Sequence, residues 1–331
     1  MTESAFRRSC LAVALAAAPL LLATVPGVAW SQAYPDKPVR MVVPFPAGGP
    51  VDVIGRLVAQ DLSRSLQQQF LIDNRVGAGG TIASEFVAAA APDGYTLLIG
   101  STSTLAVAPA LYPKLKYHPV KSFASIGGVS LETLALLVNP ALPMNSVRDL
   151  VAHVKANPGK VNFGSPGTGT QTHLVSEMFK LQAGLDSTHV PYKGGAPSVV
   201  GAMAGEVQYL FNPMSTSVSM AKSGKLRLIG TTGTRRDALF PDVPTIAEAG
   251  LPDFEALFWI GLVAPAGTPR EVVERLGREA LRIADSREMA DQLAKLGSTP
   301  YRATPEEFGR MVGREFDKWS ELARKANIKV D

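Results

Sequence analysis

Cysteine is almost missing from this chain. Cys10 is the single thiol in 331 residues, and it sits near the start of an apolar run instead of after a lipobox at its end, which argues against a lipid anchor. A chain trimmed past that run holds no disulfide, no thiolate metal site and no cysteine nucleophile, so its stability must come from core burial. Histidine is scarce as well: His118, His153, His173 and His189 are the four present. No pair has HExxH spacing and no cysteine could join them, so a zinc site has little sequence support. A GxSxG elbow is missing too, because Ser165 is followed by Pro166 and Gly167. The formal charge is only +4, falls by one when Glu3, Arg7 and Arg8 go with a leader, and includes no dense Lys/Arg run. Nucleic acid is therefore a poor partner, while a mild positive excess suits anionic solutes. Nucleotide binding is disfavoured because no P-loop occurs and Gly77-x-Gly79 lacks the third glycine of a dinucleotide fingerprint.

What is present begins with an export signal. Arg7 and Arg8 precede an apolar run, Leu11 to Val25, and a small-residue stretch, Gly27 to Ala33. This is the order of a secretory signal peptide, and the run is shorter than the roughly 20 residues that span a bilayer. Phe6 before the arginine pair and Ser9-Cys10 after it match a twin-arginine signal poorly, so ordinary export is expected. Residues 1–33 are read as leader and Tyr34 as the mature start. About 300 residues remain, enough for two domains of ordinary size.

The remainder alternates between short apolar strands and amphipathic helices. Arg40 to Phe45 ends in Pro46-Ala47-Gly48-Gly49-Pro50, and Val51, Ile54, Val58 and Leu62 then form one helical stripe. Phe70 to Ile72, the turn Gly77 to Gly80, a helix over Ile82 to Ala91 and a strand over Thr96 to Gly100 repeat the pattern. A second series starts at Ser146: helix Val147 to Ala156, strand Val161 to Gly164, helix His173 to Ala183, strand Thr188 to Tyr192, helix Ala196 to Ala204, strand Val207 to Phe211, helix Thr216 to Ser223 and strand Leu226 to Thr231. Such alternation predicts an α/β protein with parallel, helix-covered sheets. The apolar runs Thr133 to Val138 and Leu257 to Ala264 lie between the series and are assigned as strands crossing between two lobes. Two tail helices, Pro269 to Ala284 and Pro305 to Ala326, are placed on the first lobe. That lobe is then 34–132 plus 255–331, and the second is 133–254. Two crossings make a hinge, and the cleft between lobes is the expected ligand site.

Three turns follow strand ends, where open α/β sheets bind ligands. At Pro46 to Pro50, paired glycines admit a ligand to the backbone, and the next helix offers free N–H groups and a positive dipole end. Asp52, in that helix's first turn, reads as a cap. Gly164 to Thr172 combines three glycines with four hydroxyls ahead of a helix, a nest suited to an anion. Each of these two turns is also compatible with a plain capped connection. Ser101 to Thr104 is short and polar and closes the site from the first lobe. His173 is the one histidine in a site-like place, although such a residue more commonly packs or caps locally. Trp259 and Trp319 read as packing residues, and Glu306-Glu307 as solvated or capping.

Tyr34-Pro35-Asp36-Lys37-Pro38, Val43 to Gly49, Gly77 to Gly80, Pro92 to Thr96, Val190 to Gly194, Pro241 to Thr245 with Glu248-Ala249-Gly250, and Trp259 with Ala264 to Pro269 carry a resemblance. Together, in this order, they resemble the tripartite tricarboxylate transporter substrate-binding family, the TctC-like or Bug proteins. The resemblance implies a two-lobed periplasmic-binding-protein (Venus flytrap, type II-like) fold, without enzymatic activity or cofactor. It implies a monomer that hands a small organic carboxylate to a membrane permease with a small and a large subunit. By family resemblance the ligand residues are Phe45, Ala47, Gly48 and Gly49 in one loop and Ser165, Gly167, Thr168 and Thr170 in the other. Ser101 and Thr102 match the polar turn and Gly79 and Gly80 the second glycine loop; His173, Tyr192 and Asn212 complete the candidate set. Thr81 stands where many members carry Asn. Asn212-Pro213 replaces a position that is commonly acidic, which removes a negative charge from the cleft. A receptor subunit for a sensor kinase and a periplasmic enzyme using the same cleft are the alternative functions.

Overall fold

Strand, glycine-rich turn and helix repeat through the structure as their hydrophobic periods require. The computed structural model describes residues 34–112, 114–325 and 328; the expected leader lies outside them, as does the end of the last helix at Ala326. β1 (Val39–Val43) is buried at four of its five positions and leads into α1 (Pro50–Leu66). Proline opens that helix at no cost, because the first turn has no intrahelical use for its N–H. Val51, Ile54, Val58 and Leu62 are all buried along one face, as the sequence stripe predicts. There follow β2 (Phe70–Asn74), a single 3-10 turn at Ala78–Gly80, α2 (Thr81–Ala88) and β3 (Thr96–Ser101). β2, β1 and β3 pair in parallel. A π turn, Ser103–Val107, then runs into the short α3 (Ala108–Leu111).

β4 (Phe123–Val138) is the long strand that serves both lobes. It starts well before the expected crossing at Thr133, because Gly127 and Gly128 interrupt the apolar pattern that would have announced it. Those glycines are packing positions: a Cβ at Gly128 would stand 2.5 Å from Tyr301 Cδ1, and one at Gly127 3.1 Å from Ala280 Cβ. The second lobe follows as α4 (Val147–Ala156), β5 (Asn162–Ser165), α5 (Gln171–Ala183), β6 (Thr188–Pro191), α6 (Gly195–Ala204), β7 (Tyr209–Pro213), α7 (Met214–Lys222) and β8 (Arg227–Thr231). The chain returns through β9 (Leu257–Pro265) and ends in α8 (Arg270–Ala284), α9 (Arg287–Lys295), β10 (Ser298–Pro300) and α10 (Pro305–Lys325). α9 and β10 carry little sequence signal, since α9 buries only Met289 and Leu293 among charged neighbours.

The strands run in the order β2-β1-β3-β9-β4-β7-β5-β6, with β8 and β10 also on β4. Up to Thr133, β4 pairs antiparallel with β9; from Leu134 onward it pairs with β7 and β8. Buried Thr232 pins this change of partner. Its hydroxyl accepts the Leu134 N–H at 2.8 Å, its own N–H donates to Leu134 O at 3.0 Å, and its carbonyl accepts the Ala256 N–H at 3.1 Å. The α8 and α10 helices cover the β4–β9 sheet, where Trp259 and Trp319 are buried as packing residues. Among the described residues no helix is long and apolar enough to cross a membrane.

Gly261 shows how tightly α10 docks: a Cβ there would fall 2.1 Å from Phe308 Cζ. Gly261→Ala should therefore lower stability by about 1–3 kcal/mol through overpacking, read as a shift of the urea midpoint with unchanged slope.

Candidate ligand-binding cleft

A buried helix start exposes N–H groups that no residue of its own helix can satisfy. Four helices begin around one small pocket of about 20 Å³, room for a single water-sized group. Pro50 and Val51 of α1, Thr170 and Thr172 of α5, Gly195 of α6 and Pro213 at the start of α7 line it, with Phe45, Ser103, Pro166 and Phe258 between them. No side chain caps α1, α5 or α6 at the first position; the Thr170 hydroxyl turns away and donates to Gly167 O at 2.7 Å. Four positive dipole ends thus converge on one point, a ready seat for an anionic oxygen.

Phe45 and Pro166 separate this cavity from an outer compartment of about 350 Å³. Its walls are largely apolar, formed by Pro44, Pro46, Val76, Tyr112 and Tyr192 with the Gly77–Gly80 turn, and Lys193 is the one charged residue lining it among the described residues. The two walls touch. Tyr112 Oη donates to Thr168 O at 3.1 Å, and the Gln171 N–H donates to Ser103 Oγ at 3.1 Å. Gly194 has φ +124° and lies against Pro46, where a Cβ would come within 2.9 Å of Cγ, so only glycine permits this approach.

The sequence-predicted residues fall into three groups. Phe45, Gly79, Gly80, Gly167, Thr168 and Tyr192 line the outer compartment, and Phe45 and Thr170 the inner one. Ala47, Gly48 and Gly49 shape the first loop without lining either: the Gly48 N–H donates to Asp52 at 2.9 Å and the Gly49 N–H to Pro46 O at 3.2 Å. Ser101, Thr102, Ser165, His173 and Asn212 lie beneath the surface of the site. Thr102 Oγ1 accepts the Trp259 N–H at 3.0 Å, whereas Ser101 Oγ has no protein partner. Asn212 gives its amide to Thr216 and Ser217, both at 2.9 Å, and its Oδ1 has no protein partner. Ser103, Tyr112 and Lys193 were not foreseen. Ser103 sits in the singled-out turn and Lys193 in the Val190–Gly194 motif, but Tyr112 has no local signal.

Charge around the helix starts is selective. Asp52 and Glu132 each occupy one start, while α5 and α6 have no acid in their first turns. Burial works to raise the Asp52 pKa, but hydrogen bonds from Arg56, the Gly48 N–H and Asn74 outweigh it and hold the carboxyl below its ordinary range. Glu132 accepts from the Ser215 N–H and, at 2.9 Å, from the Ser215 hydroxyl at the start of α7. Burial nevertheless pushes it up to about 8; Ser215 opposes the shift and Asp237 adds to it. His173 and His189 stack at 4.0 Å beneath the β5–α5 loop. Burial first, then Lys180, lowers His173 to about 4; burial, His173 and Lys180 lower His189 to about 3. Among the described residues no cluster of three or more His, Cys, Asp or Glu is placed to hold a metal.

Two lobes that share the long strand β4, with a small pocket ringed by helix starts, are the build of a two-lobed solute-binding protein; β9, expected as a second crossing strand, stays in the first sheet and pairs only with β3 and with β4 up to Thr133. A family model described as "Tripartite tricarboxylate transporter family receptor" matches residues 54–328. Protein BugT of Bordetella pertussis is 37% identical over 298 residues, spanning 90% of this chain and 91% of BugT. R. palustris Rpa4515, solved with adipate, is similar with a TM-score of 0.87 and 33% identity over 89% of this chain and 99% of that one. MatC from Rhodopseudomonas palustris, solved with bound malate, gives 0.84 and 32% over 87% and 99%. The chain belongs to the tripartite tricarboxylate transporter receptor (TctC) family.

The shifted groups give stability two pH arms of opposite sign. Below about 6.5 the unfolded histidines take up protons that His173 and His189 refuse in the native state, so stability falls as pH drops. Between about 6.5 and 8 the native state keeps on Glu132 a proton that the unfolded chain has released, so stability falls as pH rises. Urea midpoints from pH 5 to 8.5 should pass through a maximum near pH 6.5, and Glu132→Gln should flatten the alkaline arm. An unchanged alkaline arm in that variant removes Glu132 as its source.

Proposed function

We propose that this protein is a periplasmic solute-binding protein that captures a small organic carboxylate between its lobes and delivers it to the membrane subunits of a tripartite transporter. The convergence of four helix starts on the cavity behind Phe45 and Pro166 carries this reading. One carboxylate oxygen enters the inner cavity, near the N–H groups of the α5 and α6 starts, where no first-turn acid competes with it. The carbon chain lies along the apolar outer compartment. Lobe boundaries of 34–132 with 255–331 and 133–254 agree with the change of β4 partners between Thr133 and Leu134. Export is supported by Arg7, Arg8 and the apolar run that follows them. The relatives solved with adipate and with malate are consistent with an acid of this size.

A thermal-shift panel of mono-, di- and tricarboxylates, aromatic acids and amino acids tests the reading. A true ligand at 100 times its dissociation constant stabilises the protein by about 2.7 kcal/mol. No shift with any acid, for folded and ligand-free protein, overturns it.

Lys193 lines the outer compartment but not the inner cavity, and it has no acidic partner among the described residues. A second carboxylate on the ligand fits there. Lys193→Met should weaken a dicarboxylate several-fold, as expected for loss of one solvent-exposed ion pair, and leave a monocarboxylate of equal length unchanged; calorimetric titration of both distinguishes these outcomes.

A further inference from the structure

Under the loop from Gly164 to Thr170, three aromatic rings form a stack. His189 lies 4.9 Å from Phe163 and 4.0 Å from His173 between ring centres, at interplanar angles of 21° and 19°. Each imidazole reaches one end of the loop. His189 Nε2 is 2.6 Å from Ser165 Oγ at its start, and His173 Nδ1 accepts the Gly169 N–H at 3.4 Å near its end. Neither histidine lines the cavity or the outer compartment.

We propose that the stacked His173–His189 pair is the positioning element of the ligand-binding loop. It holds Gly167, Thr168 and Thr170 in place through Ser165 and Gly169, without touching the ligand. The proposal rests on the carboxylate-binding reading of the cleft.

The hydrogen bonding requires a neutral ring at His173. His173 Nδ1 faces an N–H and must present a lone pair, so its proton sits on Nε2, which lies 4.0 Å from Glu177 Oε1. When His189 Nε2 donates to Ser165 Oγ, the serine hydroxyl donates in turn to Gly167 O at 3.1 Å, and the same oxygen accepts the Gly167 N–H at 3.2 Å. This chain of bonds closes the loop on itself from below. A second proton on His173 would set two N–H groups against each other at Gly169. The titratable groups around the pair are Glu177 and Lys180 of α5, joined at 3.0 Å, and, across Phe163, Tyr209 of β7, whose hydroxyl is tied to Ser187 at 2.7 Å. Burial and the nearby Lys180 charge keep both rings neutral through the neutral pH range. Stacking matters because it couples the two contacts: one ring cannot turn without disturbing its neighbour.

The test combines binding with ring protonation. Adipate and malate are titrated calorimetrically into the native protein and into His189→Phe, His189→Gln and His173→Phe, with unliganded urea midpoints measured alongside. His189→Phe keeps an aromatic ring in the stack but loses the bond to Ser165, and should weaken binding about tenfold, the scale of one good hydrogen bond. His189→Gln restores a side-chain N–H near the Nε2 position and should stay within about threefold of native. His173→Phe should resemble His189→Phe. Native affinity in His189→Phe, or equal losses in the Phe and Gln variants, overturns the proposal while leaving the carboxylate reading intact. If no acid binds the native protein, the carboxylate reading fails and takes this proposal with it. Should a Phe variant not fold, the Gln variant and the imidazole nitrogen shifts decide. His173 must stay neutral down to pH 5, with its proton on Nε2, and its titration near pH 6.5 overturns the proposal.

Discussion

The first N–H groups of a buried helix must find a partner, and in this protein four helices begin where few protein partners exist. The rest of the architecture serves that arrangement. β1, β5, β6 and β7 each run directly into a helix, so their carboxyl ends bring α1, α5, α6 and α7 to the same place. Glycines in the connecting turns keep the backbone close to it. Where a start is not left for a ligand, the protein supplies its own acid: Asp52 reaches back to the Gly48 N–H, and Glu132 takes the Ser215 N–H. The α5 and α6 starts carry no such acid, which is why the proposed carboxylate is assigned to them.

The same constraint explains why polar side chains lie buried under the cleft. Ser101, Asn212 and Gln171 each keep one buried oxygen without a protein partner, a cost that a soluble domain normally avoids. Ser165, Gly169, His173 and His189 form a hydrogen-bonded layer beneath the β5–α5 loop. The outer compartment differs in kind, with proline, tyrosine and valine walls and Lys193 as its lining charge. In the proposed binding mode the inner cavity selects for charge and the outer compartment for shape.

Mechanical unity comes from β4. One strand belongs to both sheets, and it changes partners across a single peptide, between Thr133 and Leu134, where Thr232 bonds both the N–H and the carbonyl of Leu134. Glu132, next to that point, ties the crossing strand to the start of α7. The strand shared by both sheets and the start of α7 are therefore joined through a buried carboxyl.

Much of the fold was legible because its signals are local and periodic. The helix Val147–Ala156 was read with its observed ends, and most other elements within two or three residues, since amphipathic stripes and glycine turns repeat along the chain. The early part of β4 was hidden by glycines that exist for Tyr301 and Ala280, and α9 and β10 by their small buried faces. In the cleft, glycine-rich loops ahead of helices were visible as composition. Which hydroxyl of Ser101 to Thr104 faces the cavity was not, because the π turn after β3 sets the phase and turns Ser103 inward to the site.

By itself the sequence determined the alternation of strands and helices, the absence of thiol chemistry and the loops able to meet an anion, all consequences of residue type and spacing. Only the tertiary structure decided that four helix starts share one cavity, that Tyr112 closes on Thr168, and that His173 stacks on His189. Those facts depend on how distant segments pack, and burial against a far neighbour leaves no periodic mark on the chain that carries it.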